Sequence, residues 1–205
     1  MARPPRSSSS GKPASGVNAE STLRLIGGAW RSRKLKFREI PGLRPTPDRV
    51  RETLFNWLAP VIPGARCLDL FAGTGALGLE AMSRGAGETW FVEAHRDTAT
   101  ALQGNLALLK ADGGKVWSGD ALAFLGRPCA APFNIIFLDP PFRHGWLDRI
   151  LPLLDRGGWL AAGGRVYLEY ERENPPQALP ASWRSLRKKE AGQLIYELMI
   201  HETEA

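Results

Sequence analysis

Residues Cys67 to Glu80 read CLDLFAGTGALGLE, and the fold follows from this stretch. Ala65 to Phe71, ARCLDLF, is a short apolar run of strand length. It is followed at once by Gly73-Thr74-Gly75-Ala76-Leu77-Gly78, a literal G-x-G-x-x-G, and then by the helical pattern ALGLEAMSRG. Glu93 stands twenty positions after Gly73. A strand, a glycine turn, a helix and a distant acid together form the pattern of a dinucleotide-binding unit.

Downstream, apolar runs and helical patterns keep alternating. ETWFVEA is a second strand, with Asp97 placed to cap the helix that follows and Leu102, Leu106 and Leu109 on one face of it. KVWSGD is a third strand and ALAFL a short helix. FNIIFLD is a fourth strand, WLDRILPLL a helix closed by Gly157-Gly158, and RVYLEYE a fifth strand. The alternation then stops. WRSLRKKEAGQLIYELMI predicts two strands joined near Ala191-Gly192. The fold class is therefore α/β: a mostly parallel, doubly wound sheet with right-handed crossovers and an antiparallel C-terminal strand at its edge.

Ligands of such sheets bind beyond the carboxyl ends of the strands. Asp69 lies four residues ahead of the glycine turn, where its carboxylate opposes a pyrophosphate but suits an ammonium group. S-adenosylmethionine carries that ammonium and no phosphate. Glu93 can accept ribose hydroxyls, and Asp120 can accept an adenine amino group or simply cap the ALAFL helix. Phe71, Gly73, Gly75 and Ala121 complete the candidate cofactor set.

NIIFLDPPF, Asn134 to Phe142, supplies the reaction. Pro140 and Pro141 lack N–H donors and have fixed φ, so the turn cannot prolong the strand but can hold carbonyls in place. An exocyclic amine on a base has its lone pair delocalised into the ring. Asp139 and the Pro140 carbonyl can accept its two N–H bonds and favour a pyramidal nitrogen, with Phe142 stacked on the base. Position and electrostatics then supply most of the rate. Asp139, Pro140, Pro141 and Phe142 are the candidate catalytic residues. The motif alone suits adenine, guanine or a glutamine amide.

The chain's 205 residues carry a formal charge of +6, and between Leu23 and Arg51 nine Arg or Lys stand against Glu39 and Asp48. Such clustering is either a solvated face or the footprint of a nucleic-acid binder. Trp30, Arg31, Arg33, Lys34 and Lys36, with Arg44, Arg49 and Arg51, are the candidate RNA contacts. In LRPTPDRVRETLFNWL, Thr46 is the expected N-cap and Pro47 the first helical residue. Val50, Leu54, Trp57 and Leu58 form its packing face. Two cysteines and three scattered histidines offer neither a disulfide framework nor a metal site, which fits a reducing cytosol and a protein without metal. No run approaches membrane-spanning length. The first residues, rich in Ser, Pro and Gly, have the composition of a disordered tail and lack the apolar core of a secretory signal.

At this point the chain resembles a known family, the RsmD small-subunit ribosomal RNA guanine-N2 methyltransferases. The resemblance runs from Leu23 to about His201. It rests on LRLIGGAWRSRKLKF, LRPTPDRVRETLFNWLAP, CLDLFAGTGALGLEA, FLDPPF, GGWLA and KKEAGQLIYEL. It implies a Rossmann-like class I methyltransferase domain over 22–203, after a tail over 1–21, with a basic hairpin at 22–43 and the core at 44–203. It implies methyl transfer from S-adenosylmethionine to N2 of guanine 966 in 16S rRNA, on assembled or partly assembled small subunits, by a cytoplasmic monomer. The family's cofactor acid falls on Glu93 and its catalytic motif on Asp139 to Phe142. Its basic hairpin falls on Trp30, Arg31, Arg33, Lys34 and Lys36. Four positions depart from the family's usual residues: Pro47 in the TTDR motif, Leu168 and Tyr170 in YVES, and Phe142 where Tyr is commoner. An adenine-N6 methyltransferase is the alternative compatible with DPPF. An NAD-dependent oxidoreductase leaves DPPF without a function, and a bare RNA-binding module leaves the three strand-end carboxylates without one.

Overall fold

The computed structural model describes residues 20–38 and 46–202. It opens with an antiparallel hairpin, β1 (Glu20–Arg24) and β2 (Lys34–Arg38), whose tip contains a 3-10 turn at Gly28–Trp30. After α1 (Asp48–Leu58) comes the alternating unit: β3 (Arg66–Asp69), α2 (Ala76–Ser83), β4 (Glu88–Glu93), α3 (Arg96–Leu109), β5 (Gly114–Ser118), α4 (Ala121–Leu125), β6 (Phe133–Leu138), α5 (Trp146–Arg156) and β7 (Leu160–Glu171). The hairpin β8 (Trp183–Ala191) and β9 (Leu194–His201) closes the described chain.

The main sheet has the order β5-β4-β3-β6-β7-β9-β8. The first five strands are parallel, while β9 runs antiparallel to both β7 and β8. The fold class read from the sequence is what the chain adopts. The last strand, however, does not form the edge: β9 inserts between β7 and β8, and β8 takes the edge position. β9 is the more apolar of the two, with Ile195 to Met199 buried, whereas β8 is mostly exposed.

Alternation in the strands splits the core. Leu68, Val92, Ile136, Leu138, Val166 and Leu168 face α4 and α5 on one side. Cys67, Ile135, Phe137 and Tyr167 face α1 on the other, against Val50, Leu54, Phe55 and Leu58. Trp57, placed on the same stripe by periodicity, is half-buried and stacks on Tyr196 at 5.7 Å. Gly78, the third glycine of the motif, lets α2 lie on β4, since a Cβ there would sit 2.2 Å from the Phe91 ring.

The N-terminal hairpin packs on α2 and α3. A two-stranded ribbon is barely stable alone. Leu23, Leu25, Leu35 and Phe37 are buried against Leu79, Leu102 and Leu106, and each such side chain contributes about 1.5–3 kcal/mol. β1 begins at Glu20, so the expected tail boundary at 21 falls within a strand, and residues 1–19 lie outside the described residues. Asp97 is not the cap of α3. His95 occupies that position without a side-chain bond, and Asp97 sits inside the first turn, where it still complements the helix dipole.

Candidate active site

Three carboxylates meet at one edge because β4, β3 and β6 are consecutive parallel strands. Asp69 closes β3, Glu93 closes β4, and Asp139 follows β6 directly. Between them lies the glycine turn. Gly75, at φ +81°, caps α2 in a left-handed conformation that its missing Cβ permits. The carboxylates hold this turn in place. Asp69 Oδ2 accepts from Gly78 N at 2.9 Å. Glu93 Oε2 accepts from Gly73 N at 2.8 Å, and its Oε1 accepts from His95 N at 2.7 Å.

Among the described residues no Lys or Arg pairs with Asp69 or Glu93. Burial pushes the Asp69 carboxyl up to about 7; the Gly78 N–H opposes this, and the nearby Asp139 and Glu93 charges add to it. A cradle lined by acceptors, with no cation paired to them among the described residues, repels a pyrophosphate. It fits a ligand that presents an ammonium and hydroxyl donors.

Asp120 is the N-cap of α4: its Oδ1 accepts from Leu122 N at 2.8 Å and Ala123 N at 3.2 Å. It lies two residues beyond the end of β5, is exposed, and stands beside buried Ala121. Phe71 is half-buried and meets Trp146 edge-on at 5.4 Å, joining the glycine turn to the start of α5.

The DPPF turn forms one wall of an open cleft whose other walls come from the start of α5 and the end of β7. Pro140 is buried, and Phe142 is 43% exposed, so one ring face is open for stacking. Asp139 is partly buried, and burial raises its carboxyl to about 6 against the lowering effect of a hydrogen bond from Thr46. That bond, Thr46 Oγ1 to Asp139 Oδ2 at 3.1 Å, corrects the expected role of Thr46. Pro47 takes the N-cap position of α1 and Asp48 is its first residue. The Thr46 side chain turns away from its own helix because the sheet end offers it a carboxylate.

β7 adds two groups that were not singled out as site residues. Glu169 is 2% exposed, and the Tyr167 hydroxyl donates to its Oε1 at 2.8 Å. Burial first, then the Asp139 charge, holds the Glu169 carboxyl well above the usual range. The available signal was an acid at an alternating position inside an otherwise apolar strand, Val166 to Tyr170.

The basic residues divide. Arg31, Arg33, Lys34 and Lys36 are exposed, as pairing places Leu35 and Phe37 inward. Trp30 is half-buried against the hairpin core, and its N–H donates to Ser83 Oγ at 2.9 Å. Arg49 is exposed, and Arg44 lies outside the described residues. Arg51 is not a surface cation. It is 1% exposed, and its Nη2 donates to Arg24 O at 3.0 Å and Asp48 Oδ1 at 2.6 Å. The helical turn that carries it faces the hairpin, so its role is internal.

Comparison with known proteins places this geometry. The family described as "Conserved hypothetical protein 95" matches residues 23–200. Ribosomal RNA small subunit methyltransferase D of Escherichia coli K12 is 51% identical over 182 residues, covering 89% of this chain and 91% of that protein. The solved structure of Escherichia coli yhhF superposes with a TM-score of 0.83 at 48% identity, over 90% of this chain and 100% of that one. An RNA methyltransferase from Salinibacter ruber, solved with S-adenosyl-L-homocysteine, shares the fold alone: TM-score 0.59 at 18% identity, over 79% of this chain and 96% of that one.

Proposed function

This chain belongs to the RsmD family of small-subunit ribosomal RNA methyltransferases, and on that premise we propose that it methylates the exocyclic N2 amine of guanine 966 in 16S rRNA. The methyl donor in this proposal is S-adenosylmethionine, and the substrate an assembled or partly assembled small subunit. The observation that carries it is the Asp139-Pro140-Pro141-Phe142 turn: a carboxylate paired with no Lys or Arg among the described residues, beside a half-exposed aromatic ring, one strand from Asp69 and two from Glu93.

The cradle's donor set fits the cofactor. Asp69 would hold the ammonium, Glu93 the ribose hydroxyls, and Asp120 with Ala121 the adenine edge, while Phe71, Gly73 and Gly75 shape the turn. Once bound, the cofactor supplies an electron-poor methyl group on a sulfonium. Asp139, ionised above about pH 6, accepts one N–H of the target amine, and the Pro140 carbonyl accepts the other. Phe142 stacks on a base that must first leave its helix to reach the cleft. The proton shed by the amine passes to Asp139 or to solvent. Arg31, Arg33, Lys34, Lys36 and Arg49 position RNA through phosphates and select no base. Among the described residues no helix is long and apolar enough to cross a membrane.

The test is to incubate the protein and Asp139→Ala with labelled donor and small subunits lacking the modification, then map the methylated nucleotide. Methylation at one guanine N2, falling at least ~100-fold in the variant while S-adenosylhomocysteine still binds, is the expected result. Label on an adenine would replace guanine with the alternative target. Full turnover by Asp139→Ala would remove Asp139 from the mechanism.

A further inference from the structure

Two carboxyls and two hydroxyls form a connected group beneath the DPPF turn. β6 and β7 pair in parallel with Leu138 opposite Leu168 and Phe137 opposite Tyr167. Asp139 and Glu169 are the next residues, so they lie on the face that carries Phe137 and Tyr167. Tyr167 donates to Glu169 Oε1 at 2.8 Å and Thr46 to Asp139 Oδ2 at 3.1 Å. Glu169 is 2% exposed and Thr46 5%. The Thr46 hydroxyl lies against both carboxyls.

A hydroxyl has one proton to donate. Given to Asp139, it leaves only oxygen lone pairs facing Glu169. Those lone pairs repel a carboxylate but accept from a carboxylic acid. The group is satisfied when Glu169 keeps its proton and Asp139 bears the charge. Two neighbouring carboxyls without a cation favour the same single negative charge.

We propose that Thr46 and protonated Glu169 are positioning residues: a donor chain from Tyr167 through Glu169 and Thr46 ends on Asp139 Oδ2 and leaves the other Asp139 oxygen for the target amine. This role rests on the methyl-transfer function proposed above. It makes the placement of Thr46, two residues ahead of α1, a condition for an aligned Asp139, since its three partners come from the sheet. The titratable groups that bear on Asp139 and its chain are Glu169 and Tyr167 on β7, Asp69 at the end of β3, Glu93 at the end of β4 and Tyr196 on β9. All are acids, and among the described residues no Lys or Arg pairs with Asp139 or Glu169.

The chain can be tested with and without turnover. In carboxyl-carbon NMR of the cofactor-free protein, Glu169 stays protonated through the range in which Asp139 titrates, near 6. Thr46→Val moves the Asp139 midpoint up, because a donor to its anion is lost. Glu169→Gln leaves that midpoint in place, since one neutral donor replaces another. In turnover, Thr46→Val lowers kcat by roughly 10- to 100-fold, the equivalent of one charge-assisted hydrogen bond. Affinity for S-adenosylhomocysteine by calorimetry stays near the parent's. Thr46→Ser restores most of the rate, and Glu169→Gln recovers part of what Glu169→Leu loses.

A Glu169 that ionises before or together with Asp139, or Thr46→Val with the parent's kcat and Asp139 midpoint, overturns the proposal. Should Thr46→Val not fold, the two Glu169 variants decide: equal kcat in Gln and Leu overturns it, and recovery in Gln upholds it. NMR results as expected from a parent that methylates no rRNA would discard the function while leaving the hydrogen-bonded chain intact.

Discussion

Two clusters of buried charge adjoin α1 and α2; among the described residues one contains arginine and the other does not. Under the N-terminal hairpin, Glu80 is fully buried and accepts from Ile26 N, Gly27 N and Arg84 Nε, each at 2.8 Å, with Arg51 Nη1 3.9 Å away. At the strand ends, Asp69, Asp139 and Glu169 bear on one another, and among the described residues no Lys or Arg pairs with them. The matched cluster fastens the hairpin to the sheet domain. The unmatched one opposes folding whenever its acids ionise, as the raised Asp69 and Asp139 values record. Buried charge left unpaired in a cleft is the feature that separates a reactive site from a structural joint.

The comparison breaks most visibly at Glu80. Glu80→Ala removes the acid that Arg84 bonds, leaves Arg51 with Asp48 as its one acidic neighbour among the described residues, and leaves two hairpin N–H groups without their acceptor. Removing one partner of a buried ion pair costs about 3–5 kcal/mol, to be read from urea unfolding. A loss under ~1 kcal/mol would assign the attachment of the hairpin to Leu23, Leu25, Leu35 and Phe37 alone.

A smaller effect of opposite sign is expected at Asp69. Its folded value, about 7, exceeds its ordinary 3.8. Its stabilising contribution is therefore present in full below about pH 4 and is lost as pH rises through about 7. Asp69→Asn keeps an acceptor for Gly78 N and abolishes the titration. The variant should gain ~1–3 kcal/mol on the parent at pH 8, with the gain shrinking toward pH 4. A variant less stable than the parent at pH 8 would show that the strand-end cluster is matched after all.

The smallest change in stability is expected for residues in neither cluster. Arg31, Arg33 and Lys34 replaced together by Ala should leave stability within ~0.5 kcal/mol. Binding to the small subunit should weaken, and its salt dependence should flatten by up to ~0.7 in slope per lost phosphate contact. An unchanged slope would leave these residues as solvated surface and turn attention to Arg184, Arg187, Lys188 and Lys189.

The alternating elements, the glycine turn, the strand-end acids and the DPPF turn were all legible because each is a local pattern. Leu23 and Leu35 turned inward and Lys34 outward, as a two-residue period requires. Arg51 departs from the expectation for a physical reason: a helix N-terminus rich in arginine looks like an anion site until the hairpin that covers it is placed, and Arg51 donates to Asp48 and to the Arg24 carbonyl, 27 residues away on that hairpin. Glu169 is harder to read: an acid inside the apolar run Val166 to Tyr170 signals an unusual position, but no second residue at a fixed spacing says what it does.

By itself, then, the sequence determined the periods of the elements, the conformations that Gly75 and Pro140 allow or forbid, and the kinds of groups gathered at the carboxyl ends of the strands. These depend on neighbours a few residues apart. Only the tertiary structure decided that β9 lies inside β8, that Arg51 is buried, and that Thr46 abandons its cap for Asp139. The last contact joins residues 93 apart and the Ile26–Glu80 bond residues 54 apart. Such pairings are set by which apolar faces pack together, and a polar side chain carried along by that packing takes whatever partner the packed surface presents.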